Sequence, residues 1–206
     1  MSITAEKSAT TVASVLLPVP VTIAPDTTCV QLQDLRSAIR TGGVPVVDPQ
    51  GTLLGVVSEV DSLENAQPDT TARDLMTSPT ATLGPDAFLE EAATLARGGA
   101  QRLFVVHDGK LVGVVTRQDV LAVADREIGR QIERTVIGML PDLDPRCLRV
   151  AVSDGQVSFV GRVPWHRDID ACSRVATAVP GVTVVVNRLD YVWDDRPRRR
   201  WSMHHK

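Results

Sequence analysis

The segment GVVSEVD occupies residues 55–61, and a near copy of it, GVVTRQD, occupies residues 113–119. Each copy consists of a glycine, two valines, a hydroxyl residue, two variable residues and an aspartate. Recurrence of one pattern of residue types within a chain is typical of a duplicated structural unit. The two motifs therefore predict an internal repeat, and the sequence around them sets its limits.

The duplication extends to both sides of the motifs. Upstream, VTIAPDTTCVQLQDL at 21–35 aligns with ATLGPDAFLEEAATL at 81–95. Around the motifs, PVVDPQGTLLGVVSEVDSL at 45–63 aligns with FVVHDGKLVGVVTRQDVL at 104–121. The alignment predicts two tandem units, residues 10–66 and residues 70–124. We expect the N-terminal stretch, residues 1–9, to be disordered.

Each unit shows the same predicted order of elements. A short extended stretch leads into a Pro-Asp turn, where Asp26 or Asp86 is expected to cap a helix over 27–41 or 87–98. A Gly-Gly break ends each helix. Two valine-rich strands follow, and a short glycine-containing hairpin turn at Gly51 or Gly109 joins them. Valine-rich strands without clean alternation indicate a small sheet covered on both faces.

The remaining third of the chain has a different pattern. Apolar residues recur at steps close to four and predict a helix over 118–140. A hairpin is predicted around Asp154-Gly155, then a helix over 166–179, and a last strand within VTVVVNRLDYVW. The order of helix, strand, strand, helix and strand predicts a separate domain at 125–195. A basic tail at 196–206 is expected to be disordered.

The repeated unit, with its Gly-hydrophobic-x-Thr/Ser-x-x-Asp motif, resembles the CBS domain, and the tandem arrangement resembles a CBS pair or Bateman module. The segments DGQVSFVGRV and VPGVTVVVNRL resemble the BON domain, with Gly155, Gly161, Gly181 and Asn187 at the matching positions. The resemblance implies an α+β protein: two tandem βαββα CBS units forming a pseudo-twofold module, plus a smaller αββαβ BON domain. CBS pairs usually form disc-like dimers, so it also implies a homodimer.

The repeated motif admits a structural and a functional interpretation. Ser58 with Asp61, and Thr116 with Asp119, have the spacing of a helix capping box. The same geometry suits ligand binding, because a helix N-terminus attracts anions and an aspartate can accept both hydrogens of a ribose diol. The resemblance implies that in CBS pairs this Asp holds the ribose, the Thr or Ser contacts phosphate, and adenine lies among aliphatic side chains.

The two predicted sites differ in charge. Arg117 follows Thr116 in the second motif, whereas Glu59 takes the matching place in the first. An arginine attracts a phosphate and a carboxylate repels it, so the second site is favoured. Arg102 and Thr80, near the starts of strands that flank the same cleft, are further candidates for ligand contact.

Bulk properties narrow the class of protein. The chain of 206 residues is 43% hydrophobic, and no segment has the roughly 20 uninterrupted apolar residues of a bilayer span. Its three cysteines are scattered and odd in number, which favours reduced thiols and a cytoplasmic location. Residues 1–124 carry 8 basic and 14 acidic side chains, whereas residues 125–206 carry 14 and 11.

No catalytic constellation is recognisable. The four histidines have no partner at a metal-ligand spacing, and nucleophile-elbow, Walker and dinucleotide motifs are absent from the sequence. We therefore expect a protein that is not an enzyme and requires no cofactor. The acidic first part and the lack of a basic patch interleaved with aromatics disfavour binding of nucleic acid.

Two hypotheses follow. In the first, the CBS pair is a sensor that binds an adenine nucleotide such as AMP, ADP or ATP as a regulatory ligand and couples it to the BON domain, which contacts a membrane or a protein partner. In the second, the protein is a ligand-independent adaptor whose BON domain and basic tail bind phospholipid or a partner protein.

Overall fold

The computed structural model describes residues 10–35, 42–58, 66–79 and 81–196. The stretches predicted to be disordered, 1–9 and most of the basic tail, lie outside the described residues. The chain divides into two compact units, Met1–Ala124 and Asp125–Lys206.

The described residues of the first unit form two small sheets and short helices. Strands β1 (Val44–Val47) and β2 (Leu53–Val57) pair antiparallel, and β3 (Thr82–Leu83), β4 (Arg102–His107) and β5 (Lys110–Thr116) form a sheet in the order β3-β4-β5. The helices are α1 (Cys29–Leu32), continued by a 3-10 turn at Gln33–Leu35, then α2 (Ala72–Leu75) and α3 (Leu89–Arg97). The predicted α+β class and the two hairpins are confirmed.

The two repeats share a strand arrangement. In the second repeat, β3 pairs parallel with β4, which pairs antiparallel with β5. In the first repeat, Ile23 forms a parallel bridge with Val46 of β1, which pairs antiparallel with β2. Both hairpin turns place a glycine at positive φ, Gly51 at 84° and Gly109 at 77°, a conformation that glycine adopts at no steric cost.

Each repeat donates its N-terminal segment to the other repeat. Leu17, which precedes the first repeat's strands, bridges Val114 of β5, and Thr77, which precedes the second repeat's strands, bridges Val56 of β2. Both bridges are closed by two backbone hydrogen bonds of 2.9–3.2 Å. A second reciprocal pair joins Thr11 to Phe88 and Thr71 to Thr28. This exchange gives the module its pseudo-twofold relation.

The predicted capping role of Asp26 and Asp86 is wrong. Helix α1 begins after Thr28, whose backbone N–H donates to the Gln31 side chain at 3.0 Å. Helix α3 begins after Phe88 and has no side-chain cap. The Pro-Asp segments are still turning at these points, since the Thr27 N–H bonds the Ala24 carbonyl and the Ala87 N–H bonds the Gly84 carbonyl, each at 3.1 Å. Each helix therefore begins two residues later than predicted.

The second unit contains one antiparallel hairpin extended by a parallel strand. The sheet has the order β6 (Leu148–Ser153), β7 (Gln156–Trp165) and β8 (Val184–Trp193), and it is accompanied by α5 (His166–Thr177). Helix α4 (Arg117–Met139) agrees with the predicted helix over 118–140, and its residues from Asp125 onward belong to this unit. The predicted αββαβ order is confirmed.

Side chains fix the geometry of the second unit at two points. The Asp125 carboxylate accepts the backbone N–H groups of Asp154 and Gly155 at 2.6 and 3.0 Å, which secures the predicted hairpin turn. The Asn187 side chain on β8 donates to the Ile169 carbonyl at 2.9 Å and to the Ser173 hydroxyl at 2.8 Å, which holds β8 against α5. Among the described residues, no helix is long and apolar enough to cross a membrane.

Candidate functional site

A cavity of about 190 Å³ opens in the first unit, where residues of both repeats meet. One wall is apolar and is formed by Val56 and Phe104, which are 4% and 2% exposed. The other lining residues are polar, charged or small: Gly42, Ser58, Thr77, Ser78, Gly99, Ala100, Gln101 and Arg102. The cavity therefore combines an apolar surface with hydroxyl, amide and guanidinium groups.

Arg102 supplies the positive charge of this cavity. It begins β4 in the second repeat and reaches across to the first, where its Nη1 donates to the Gly43 carbonyl at 3.1 Å. The stem of the side chain passes so close to Gly42 that an added Cβ there would lie 2.8 Å from the Arg102 Cγ. Glycine at position 42 thus leaves the space that Arg102 needs to cross between the repeats.

Hydroxyl groups come from both repeats. Ser58 follows directly after β2, in the first motif, and is exposed. Thr77 and Ser78 belong to the exchanged segment, which the two Val56–Thr77 backbone bonds of 2.9 and 3.0 Å hold beside β2. The Thr77 hydroxyl also donates to the Val56 carbonyl at 3.4 Å. The exchange of segments therefore brings three hydroxyls to one cavity.

The second motif forms a helix cap. The Thr116 hydroxyl donates to the Asp119 carboxylate, and the Asp119 backbone N–H donates to the Thr116 hydroxyl oxygen at 3.2 Å. This pair caps the N-terminus of α4, and Asp119 is exposed. The structural interpretation of the motif is therefore realised here, while the exposed carboxylate leaves room for a ligand role.

The second motif also lies next to the cavity. Thr116 is the strand partner of Arg102, and the Arg117 backbone N–H donates to the Gln101 carbonyl at 3.0 Å. Thr116, Arg117 and Asp119 are not among the residues that line the cavity.

The structure thus brings together two of the predicted site residues, Ser58 and Arg102, at one cavity. Asp61, Glu59 and Thr80 lie outside the described residues. Sequence reasoning did not single out Thr77, Ser78, Gln101 or Gly42 as site residues. The Gly-Gly breaks were visible in the sequence, but only the tertiary structure shows that Gly42, Gly99 and Thr77 line one cavity.

The second unit has a groove of its own. Its volume is about 280 Å³, and its lining includes Trp165 and Trp193, whose ring centroids lie 6.4 Å apart. Trp193 is 60% exposed and its neighbour Val192 is 54% exposed. Among the described residues, no group of three or more His, Cys, Asp and Glu side chains is placed to hold a metal ion.

Comparison with known families agrees with this architecture. The CBS domain family matches residues 12–61 and 72–126, and the BON domain family matches residues 124–192. The chain belongs to the CBS domain family: it carries a tandem CBS pair followed by a BON domain.

Individual relatives match part of this chain. The uncharacterized protein MK0525 of Methanopyrus kandleri is 33% identical over 111 residues, which are 50% of this chain and 57% of that protein. Inosine-5'-monophosphate dehydrogenase of Mycobacterium bovis is 31% identical over 157 residues, 71% of this chain but 30% of the enzyme. The chain thus spans less than two thirds of the length of either relative.

A solved structure gives the same result for the fold. The CBS-pair protein CBSX2 from Arabidopsis thaliana is 30% identical, with a TM-score of 0.50, and the match covers 60% of this chain and 99% of that one.

Proposed function

We propose that this protein is a regulatory sensor that acts by binding rather than by catalysis. Its CBS pair binds an adenine nucleotide, and occupancy of the pair regulates the BON domain. The observation that carries the proposal is the cavity in which Arg102, three hydroxyls and an apolar wall of Val56 and Phe104 converge. Membership of the CBS domain family supports the same assignment.

The groups in and beside this cavity match the parts of a nucleotide. A guanidinium and hydroxyls suit a phosphate, because charge-assisted hydrogen bonds to phosphate are short and strong. The Val56–Phe104 wall suits the flat, weakly polar adenine ring. The aspartates that end the two motifs, Asp61 and Asp119, have the two acceptor oxygens that a ribose diol requires.

The size of the cavity sets how a nucleotide is held. Small-molecule sites commonly have volumes of about 300–1,000 Å³, and this cavity, at about 190 Å³, is smaller. A nucleotide therefore occupies this cavity only in part. Regulation of the BON domain further requires that the ligand bind one arrangement of the protein more tightly than another.

Thermal unfolding with added ligand tests the proposal. AMP, ADP, ATP or S-adenosylmethionine at 100 times its Kd should raise the Tm of the full chain by about 5 °C or more, because a ligand that binds only the folded state stabilises it. CMP serves as the control without adenine, and the Asp61→Ala/Asp119→Ala double variant should lose most of the shift. A Tm that none of the adenosine ligands raises would contradict the proposal.

A second candidate function is favoured by the exposed Trp193 and Val192 beside the groove of the second unit. Tryptophan at an interface combines an apolar ring with a polar N–H. In this alternative the protein is a ligand-independent adaptor whose BON domain and basic tail bind phospholipid or a partner protein.

Co-sedimentation with anionic phosphatidylglycerol vesicles separates the two candidates. The adaptor binds the vesicles without any nucleotide, and Trp193→Ser or removal of residues 197–206 weakens the binding. Equal recovery of all three proteins in the supernatant would exclude a phospholipid surface as the partner.

A further inference from the structure

The pseudo-twofold relation gives each residue of the cavity a counterpart on the other side of the module. Thr77 bridges Val56 of the first repeat, and Leu17 bridges Val114 of the second. Since these bridges are equivalent, Leu17 is the counterpart of Thr77. The next residue along each exchanged segment extends the comparison, so that Pro18 is the counterpart of Ser78.

The strand register gives the counterpart of Arg102. Arg102 is paired with Thr116, the hydroxyl residue of the second motif. In the first repeat the residue beside Ser58 is Gly43, since a Cβ added to Gly43 would lie 3.2 Å from the Ser58 Cβ. Gly43 therefore stands where Arg102 stands in the other repeat.

These exchanges make the two clefts chemically unequal. The cleft at Ser58 has Thr77 and Ser78 where the cleft at Thr116 has Leu17 and Pro18. A leucine brings no polar group, and a proline also lacks the backbone N–H donor. The two hydroxyls of the exchanged segment therefore serve one cleft alone.

Among the described residues that line this cavity, Arg102 is the charged one. The guanidinium of Arg102 lies in the Ser58 cleft, where it donates to the Gly43 carbonyl. Gly43 is the counterpart of Arg102 in the first repeat, and it has no side chain that could bring a charge to the Thr116 cleft. Buried Val56 and Phe104 line the same cavity as Arg102, and a charge acts more strongly near low-dielectric surfaces than in water. Arg117 belongs to the other motif and does not line this cavity.

We infer that each chain binds one nucleotide, in the cleft of Ser58, Thr77, Ser78, Gln101 and Arg102, and that the ligand class is a phosphorylated adenosine rather than the uncharged nucleoside. Arg102 is the residue that determines this specificity. The inference rests on the proposed function and narrows it to one cleft. The sequence favoured the cleft of Thr116 and Arg117, whereas we now assign the ligand to the Ser58 cleft, where the polar groups converge.

Isothermal titration of the full chain with AMP and with adenosine tests the inference. We expect one AMP per chain and at least about tenfold weaker binding of adenosine, the loss expected when a charge-assisted hydrogen bond is removed. In Arg102→Gln this preference for AMP should fall below about threefold. Arg117→Gln should retain most of the preference, and Arg73→Gln, an exposed arginine on α2, is the control.

The outcomes distinguish this inference from the proposed function. Two AMP molecules per chain, or a preference for AMP that survives in Arg102→Gln and is lost in Arg117→Gln, would overturn the single-cleft inference while the nucleotide sensor stands. Equal affinity of the wild-type chain for AMP and adenosine would refute the phosphate selectivity without any variant. Failure of AMP and adenosine alike to bind would remove the proposed function and the inference together.

Discussion

Thr116 and Asp119 form a hydrogen-bonded pair at the start of α4. The sequence predicted both a cap and a ligand role from their spacing, and the hydrogen bonds between them realise the cap. The cavity itself was beyond prediction from local spacing. Ser58 and Arg102 are 44 residues apart in the chain. They meet at the cavity because the exchanged segments and the Arg102–Gly43 hydrogen bond join the two repeats, and no local pattern encodes these contacts.

The cap can be measured without any ligand. Thr116→Val keeps the shape of the side chain but removes the hydroxyl, so we expect the free energy of unfolding to fall by about 1 kcal/mol, a common cost of losing an N-cap. Thr116→Ser retains the hydroxyl and is the matched control. Urea unfolding curves that superimpose for wild type and Thr116→Val would show that this hydroxyl does not stabilise α4.

The three cysteines differ in environment. Cys29 and Cys172 are buried, whereas Cys147 is exposed. Burial raises the pKa of the Cys172 thiol to about 11, which keeps it protonated and unreactive near neutral pH. Because the unfolded chain releases this proton at a lower pH than the folded one, Cys172 also makes the fold less stable as the pH rises from about 9 toward 11.

Thiol titration with Ellman's reagent at pH 8 should detect one fast-reacting cysteine in the native protein and three in denaturant. The native signal should disappear in Cys147→Ser. Rapid reaction of two or three thiols in the folded protein would contradict the burial of Cys29 and Cys172.

At the scale of elements, periodicity and turn chemistry predicted most of what is observed. The helix over 118–140 and the hairpin at Asp154-Gly155 follow from strong local signals, and both are present. Helix starts were predicted less well: Asp26 and Asp86 lie in turns that continue for two residues before the helices begin. A capping residue identifies a helix start only when the backbone that follows is already helical.

Glycine at position 161 is required by the packing of β7 against the chain that enters β6. Gly161 has a φ of 132°, and an added Cβ would collide with the Cys147 carbonyl oxygen. Gly161→Ala should therefore lower the free energy of unfolding of the second unit by about 2 kcal/mol or more.

The matched control is Gly138 on α4, where nothing lies within 4 Å of an added Cβ. Gly138→Ala should raise stability by up to about 1 kcal/mol, because alanine favours a helix over glycine. Denaturant unfolding followed by the fluorescence of Trp165 and Trp193 measures both effects. Equal stability of the two variants would contradict the close approach at Gly161.

Two heptapeptides in the sequence were enough to predict the duplication, but they did not predict how the two repeats are joined. The alignment showed that the halves are alike; it did not show that each lends its N-terminal segment to the other, through Leu17 and Thr77. That exchange is a property of long-range pairing. It joins the two repeats into one module and places Leu17 and Thr77 at equivalent positions.

The resemblance to CBS pairs also leads us to propose a homodimer. Light scattering of the eluting protein should then give twice the chain mass of 22.2 kDa. A mass equal to that of one chain at micromolar concentration would argue against the dimer, while leaving the cavity within each chain unaffected.

We propose above that the first unit binds an adenosine-containing ligand. Equilibrium dialysis of the full chain against labelled AMP, ATP and S-adenosylmethionine tests it most directly. We predict saturable binding of at least one of them that excess unlabelled ligand displaces and CMP does not. Free and protein-side concentrations that stay equal for every ligand would contradict the claim.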